Sequence, residues 1–356
     1  MSQTVEMITG ARLHFGFLAG ARPAPGDTSD SEASSAWRSG RVFGGVGMMI
    51  DSPRIRLRVD ATFPTAPTKD GGGHVAGPEG LPAEIVAPQP WRDRIGAVLK
   101  RFPVAPDASQ RAFYRVVLQE TIPPHVGLGA GTQLALAVAA ATATLRGEPI
   151  DAQRLAQRAG RGLRSAIGLY GFLHGGLIVD AGKRPGDPVS PLAMRTALPE
   201  SWAVVLACPS GSEGLSGQRE QDAFAHLPPM PTDLTGRLCQ LVLTGLMPAA
   251  LQRSYFEFGE ALFEFNRLVG KYFAPIQGGA YASEAAAEWV RFVRNRGVPA
   301  VGQSSWGPTL FAICPDGPTA ERLAAATRDQ PRWRDWSVAV TAPRNASAEG
   351  ITATTS

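Results

Sequence analysis

The sequence predicts an α+β protein of two lobes. Three observations lead there. Strand-like and helix-like segments are mixed without a regular βαβ rhythm. The chain has 356 residues, 44% of them hydrophobic, enough for a large core and more than one domain. A cluster of Gly, Pro and Asp between Lys183 and Pro191 reads as a junction. The expected domains are therefore 1–186 and 187–343, followed by a frayed tail over 344–356.

Residues 4–18 read as a strand that delivers Arg12, His14 and Phe15 to a loop. The polar run 21–39 has no periodicity and reads as a loop. Residues 41–50 return as a glycine-rich turn and strand. Residues 54–60 alternate basic and apolar side chains, as an exposed or edge strand does. Residues 61–82 form a weak segment, expected as an irregular hairpin. Helices are expected over 90–102, 133–145, 150–160, 233–247, 255–269 and 285–296, and strands over 112–118, 202–208, 309–313 and 337–340.

Composition excludes several classes. The net charge is only +4, and no basic block with interleaved aromatics points to nucleic acid. The three cysteines, Cys208, Cys239 and Cys314, form no CxxC pair, which fits a reducing compartment. No leader-like N-terminus and no run of eighteen apolar residues is found, so a cytoplasmic protein without a membrane partner is expected. Arginine outnumbers lysine heavily, and a planar guanidinium suits carboxylate and phosphate ligands.

The run Gly127-Leu128-Gly129-Ala130-Gly131-Thr132-Gln133 precedes the apolar stretch 134–143. It predicts a tight turn opening a buried helix, whose first N–H groups and dipole favour an anion. It lacks the Gly-Lys-Ser/Thr ending of a Walker loop, and no acidic ribose ligand follows at dinucleotide spacing. Thr132 is expected to serve the helix start, a phosphate or a phosphate-bound Mg²⁺. Arg12 and His14 share one face of their strand and can bind an anion and trade a proton. Arg161 and Arg164 are candidates to face a polyanion. Glu213, Glu220 and Asp222 lie in a polar stretch that can supply carboxylates. Gln277-Gly278-Gly279 is a compact turn, and Gln303-Ser304-Ser305-Trp306 sets adjustable donors beside an aromatic plane.

Residues 123–137 resemble the second, glycine-rich motif of the GHMP kinase superfamily, and 302–309 fall where that superfamily has its third. The order of Arg12 to Gly16, Arg41 to Gly47, Gly127 to Gln133, Arg161 to Gly168, Gln277 to Gly279 and Gln303 to Pro308 more closely resembles the family of beta-ribofuranosylaminobenzene 5′-phosphate synthases. The resemblance spans roughly residues 8–315. It implies a GHMP-kinase-like fold, with an N-terminal lobe like ribosomal protein S5 domain 2 and a ferredoxin-like C-terminal lobe.

It also implies a reaction: condensation of 5-phospho-α-D-ribosyl 1-diphosphate with 4-aminobenzoate or 4-hydroxybenzoate, releasing CO₂ and diphosphate, in tetrahydromethanopterin biosynthesis. Mg²⁺ and a homodimer come with it. One departure bears on mechanism. Many GHMP kinases end the segment matching Ser165 to Gly168 in an aspartate that activates the phosphoryl acceptor, and here Gly168 stands there. A phosphate cradle without that base suits diphosphate departure better than phosphoryl transfer.

On this reading Arg12 or Arg41 clamps the aromatic carboxylate, Phe15 and Trp306 wall the ring, and His14 holds the para substituent or manages protons. Asp180, Glu220 and Asp222 are the metal or cation-stabilising candidates, and Arg161, Arg164, Gln277, Gln303, Ser304 and Ser305 join the glycine turn in binding substrate. An ATP-dependent small-molecule kinase, with Asp180 as base, and a non-catalytic binding protein of the same fold are the alternatives.

Overall fold

A computed structural model describes residues 2–20, 40–63, 81–104, 112–162, 164–211, 214, 222, 223 and 225–355. Two sheets form the two lobes. The first has seven strands in the order β11-β1-β2-β4-β3, with β5 joined to β2 and β6 to β5. Its frame is the antiparallel pair β1 (Ser2–Phe17) and β2 (Gly45–Thr62). The start of β2 pairs with β5 (Leu177–Asp180) and its end with β4 (Phe113–Glu120). β3 (Ala83–Val86) lies parallel to β4, and β6 (Leu192–Thr196) antiparallel to β5.

Of the two readings of the alternation in 54–60, the exposed face holds and the edge position does not. This half of β2 is a central strand between β1 and β4. Ile55, Leu57 and Val59 are buried on one face, while Arg54, Arg56 and Arg58 pair with Glu120, Glu6 and Asp60 on the other. A sheet covered on one side gives the same period as an edge strand.

The covering layer is helical. α1 (Trp91–Leu99), α2 (Ala130–Leu145), α3 (Ala152–Ala159) and α4 (Ile167–His174) pack together, and α2 and α4 lie against β1 and β2. α2 is buried nearly all round, which its Ala-rich sequence permits by letting neighbours approach closely.

The second sheet is antiparallel, in the order β10 (Trp336–Thr341), β7 (Ala203–Pro209), β9 (Leu310–Cys314), β8 (Val301–Gln303). One face packs on α7 (Glu284–Arg294) and α8 (Gly317–Arg328) through Trp289, Val293 and Leu323. The other, with Leu206, Phe311 and Ile313, belongs to the same core as the first lobe. α5 (Thr232–Gln252, with a π-helical stretch Val242–Leu246) and α6 (Tyr255–Gln277) complete that core. By length and composition α5 alone among the described helices is long and apolar enough to cross a membrane. Here its Leu238, Leu241, Val242 and Leu246 enter the shared core.

The expected boundaries are corrected. β6 lies beyond residue 186 yet completes the first sheet, so the first lobe runs to Thr196. The tail expected to fray forms β11 (Glu349–Thr355), which pairs with β1 from Ser2 to Ile8. The edge of β1 offers unpaired peptide groups, and the C-terminal segment satisfies them.

Candidate functional site

The glycine turn sits where the lobes meet. Arg12 N–H donates to Leu128 O (3.0 Å), so β1 holds the turn from one side. From the other, Ser304 Oγ donates to Gly127 O (2.8 Å) and accepts from the His14 N–H (3.1 Å), while Ser305 N–H donates to His14 O (2.9 Å). A Cβ on Gly127 would lie 2.5 Å from Ser304 O, and Gly127 has φ 86°. The first glycine of the run therefore serves lobe packing.

The other end of the turn has a different environment. Gly129 (φ 76°) is the N-cap of α2 and provides no side-chain cap, leaving the positive end of a 16-residue helix. The side chain of Arg12 fills the space a Cβ on Gly129 would need, and Nη1 of Arg94, from α1, fills the corresponding space at Gly131. Arg161 Nη2 donates to Gly131 O (3.1 Å). Three guanidinium groups thus gather on the first turn of α2. Arg94 was not legible in the sequence, because nothing in chain spacing ties α1 to the turn. Thr132 makes no capping bond; its methyl faces Gly168 instead.

His14 is 1% exposed, and neither ring nitrogen has a hydrogen-bond partner. Burial, reinforced by the neighbouring Arg12 charge, holds its pKa well below 6.5, so the ring is neutral near pH 7. Nε2 would be 3.2 Å from a Cβ on Gly45, and Ser165 Oγ 3.4 Å from the same point, so a glycine here lets both polar groups approach the strand. An unpaired buried imidazole is costly unless a ligand or water completes it.

Asp180 is fully engaged. Its carboxylate accepts from Ser165 Oγ (2.9 Å), Ser190 Oγ (2.7 Å), Ala166 N–H (3.0 Å) and Gly182 N–H (3.0 Å). Burial pushes its pKa up, and the four donors pull it back. Its lone pairs hold the start of α4 and the 182–190 loop together, which argues against the base or metal ligand expected there.

Several other expectations are also corrected. Arg41 donates to Gly182 O (2.9 Å) and pairs with Asp187, which ties it to that loop. Phe15 is buried against Phe311, in the core between the sheets, so it presents no wall to a ring. Trp306 is buried against Phe273, with ring centroids 4.3 Å apart. Gln133 is wholly buried, accepting from Thr9 Oγ1 and donating to Gly168 O, a scaffold bond between β1, α2 and α4. Gln277 braces its own turn by donating to Gly279 O (2.9 Å), and Gln303 Oε1 accepts from Ala282 N–H (2.7 Å).

Leu128 and Ala130 contribute backbone and are themselves buried, and Arg164 is half-buried. Asp222 is exposed, and Glu213 and Glu220 lie outside the described residues. Among the described residues no group of three His, Cys, Asp or Glu could hold a metal ion. With Asp180 saturated, the side chains described do not form a Mg²⁺ site of their own.

Asn266, on α6, is a further residue that sequence reasoning missed. Its Nδ2 donates to Phe15 O (2.8 Å) and Gln303 O (2.9 Å), and its Oδ1 accepts from Gln303 N–H (3.0 Å). One buried amide thereby fixes β1 against β8 and sets the spacing of the lobes.

Residues 95–176 match the GHMP kinases N terminal domain and 246–331 the GHMP kinases C terminal domain. The chain is 30% identical over 291 residues to the beta-ribofuranosylphenol 5′-phosphate synthase of Methanothermobacter thermautotrophicus, covering 78% of this chain and 84% of that protein. The chain belongs to this synthase family within the GHMP kinase superfamily. The same-named protein of Archaeoglobus fulgidus is 30% identical over 297 residues, covering 77% and 81% of the two chains.

Solved structures agree on the fold. Mevalonate kinase from L. major superimposes with a TM-score of 0.63 at 13% identity, covering 95% of this chain and 96% of that one. Homoserine kinase from Cytophaga hutchinsonii gives 0.61 at 13%, covering 98% and 97%. Within this family fold, a Cβ on Gly168 would lie 3.0 Å from Thr132 Cγ2 and 3.7 Å from Arg12 Cδ. A side chain there would first crowd the Thr132 methyl, with the Arg12 stem at ordinary contact distance.

Proposed function

We propose that this protein is a beta-ribofuranosylphenol 5′-phosphate synthase, joining 5-phospho-α-D-ribosyl 1-diphosphate to an aromatic acid with loss of CO₂ and diphosphate in tetrahydromethanopterin biosynthesis. The observation that carries the reading is the gathering of Arg12, Arg94 and Arg161 on the glycine turn, beside a glycine at position 168. The arrangement can grip a polyanion and carries no carboxylate where a phosphoryl acceptor would need a base. The phenol in the relatives' name favours 4-hydroxybenzoate over 4-aminobenzoate as acceptor.

The bond from ribose C1 to the diphosphate oxygen breaks, and its electron pair leaves with the diphosphate. The ring carbon bearing the carboxylate attacks C1 from the opposite face. The carbon–carboxylate bond then breaks, and its electron pair restores the aromatic ring as CO₂ departs. Arginine at the turn stabilises the charge growing on the leaving oxygen. Neutral His14 is suited to accept a hydrogen bond from the para hydroxyl, which raises electron density at the attacking carbon. The lobe junction keeps water from the ribosyl cation. Mg²⁺ belongs to this reading as a counter-ion that the donor's diphosphate would bring. A homodimer and a cytoplasmic location complete the reading; the exposed Leu243, Leu251 and Phe256 are apolar surface that a second copy would cover.

The test supplies ribosyl diphosphate and carboxyl-labelled 4-hydroxybenzoate or 4-aminobenzoate with Mg²⁺. Labelled CO₂ is expected from at least one acid, and its absence with both refutes the proposal. Arg12→Ala is expected to cut turnover by about 10²-fold while leaving the circular dichroism spectrum unchanged.

A further inference from the structure

We propose that the groove between α6 and α7 on the second lobe, rimmed by the Gln277-Gly278-Gly279 turn, binds a small molecule of two or more aromatic rings that carries an anionic group. The site lies apart from the glycine turn at α2 and does not depend on the synthase reading.

No step of the proposed reaction uses the Gln277-Gly278-Gly279 turn, yet it is firmly held. Gly270 on α6 lets it fold back, since a Cβ there would lie 2.1 Å from Ala280 O. Gln277 Nε2 donates to Gly279 O (2.9 Å), and Ala282 N–H donates to Gln303 Oε1 (2.7 Å). Gly278 has φ 84° as the C-cap of α6, which accounts for that glycine. Gly279 has no such reason. It does not have a positive φ, and the nearest neighbour of a Cβ there would be Tyr281 O at 3.6 Å, an ordinary contact. The fold would accept a side chain at Gly279; its absence leaves the peptide open to the groove, as where backbone meets a ligand.

The groove encloses about 630 Å³, which suits a ligand larger than one benzoate ring. α6 lines it with Phe263, Arg267 and Lys271, spaced four residues apart along one face, and α7 with Val290, Arg291 and Arg294. Two of these cations are already neutralised. Arg267 pairs with Glu264 (2.8 Å), and Arg294 pairs with Glu260 (3.0 Å) while lying over the Phe263 ring (4.0 Å to the centroid). Lys271 and Arg291, one from each wall, have no carboxylate partner among the described residues. Glu284 is the single acid lining the groove. Tyr281 also lines it, and its hydroxyl is buried without a hydrogen-bond partner. Burial pushes the Tyr281 pKa up to about 12 against the pull of Arg267 and Arg294, so the hydroxyl keeps its proton and can donate it. Phe263 and Val290 give ring-sized apolar surface, and the two unpaired cations and the hydroxyl call for an acceptor with negative charge. Carboxylate, sulfonate and phosphate share that chemistry. Gln277 and Ala280 also line the small cavity at His14, so the experiment separates the groove from the reacting site.

The probe is anilinonaphthalene sulfonate, which has two ring systems and one sulfonate. Fluorescence titration of the full chain is expected to show saturable binding. Replacing Lys271→Gln and Arg291→Gln together is expected to weaken it at least about tenfold, with a shallower salt dependence. Gly279→Leu changes no charge but fills the groove, and is expected to weaken binding by about tenfold. Lys271 and Arg291 are exposed and Gly279 is uncrowded, so the circular dichroism spectra are expected to stay unchanged. Saturating 4-hydroxybenzoate or inorganic diphosphate is expected to leave the probe bound. Wild-type probe affinity in either variant overturns the site, as does a wild-type protein that does not bind the probe. Competitive displacement by 4-hydroxybenzoate or diphosphate also overturns it, because the groove would then belong to the reacting site. A protein that binds the probe in this way but releases no CO₂ keeps the groove site and loses only the synthase reading.

Discussion

Asp180 and His14 show how two residues of catalytic type part company once their partners are seen. Asp180 is saturated by two hydroxyls and two peptide N–H groups. Asp180→Asn turns at least one of those donors against an amide NH₂, and thermal melts are expected to show a loss of about 1–3 kcal/mol. If activity falls with no change in stability, Asp180 acts on substrate after all. His14 is unsatisfied and neutral, and its folded pKa lies well below its unfolded value of 6.5. The unfolded chain therefore takes up this proton first as pH falls. Stability from this site is complete above about pH 6.5 and is lost below it, toward the lower folded pKa. In His14→Gln, unfolding free energy measured from pH 7.5 downward is expected to fall less steeply than in the wild type; a parallel slope would mean that another group sets the pH response.

At the scale of elements, α2 was legible because its apolar run and glycine start state both its burial and its beginning. β1 and the first part of β2 were legible from their position around the turn. α8 carries Asp316 as N-cap, donating no proton but accepting from Thr319 N–H (2.7 Å), with Pro318 in its first turn. That start signal, Asp316 with Pro318, stands in the sequence itself. β11 could not be read, since its strand character comes from an open partner edge some 340 residues away in the chain. Deleting residues 347–356 is expected to lower the melting midpoint by several degrees and to promote association through the bared β1 edge. Unchanged melting and light scattering would show that β11 contributes little.

Across the whole molecule, the lobes have separate sheets but a common core running from Leu13 through Phe265 to Phe311. Unfolding is therefore expected as one calorimetric transition, since neither lobe can open without exposing the other's apolar face. Asn266→Ala leaves Phe15 O, Gln303 O and Gln303 N–H without that partner and is expected to cost about 2–3 kcal/mol within the same single transition. Two resolved transitions, in the wild type or the variant, would show the lobes to be independent. The alignment of the lobes also sets the shape of the glycine turn, because Ser304 and Ser305 reach the turn and β1 only across their junction.

By itself the sequence determined the α+β class, the glycine turn at the head of a buried helix, and a resemblance that named the family and its chemistry. These are local or ordered along the chain: periodicity, Gly and Pro placement, and short runs in a fixed order. Only the tertiary structure decided that Gly127 serves lobe packing while Gly129 and Gly131 admit Arg12 and Arg94, that Asp180 and Arg41 brace a loop, and that the C-terminus closes the first sheet. The reason is physical. A side chain's role is set by which donors, charges and edges reach it through space, and those arrive from segments whose separation in the chain says nothing of their meeting.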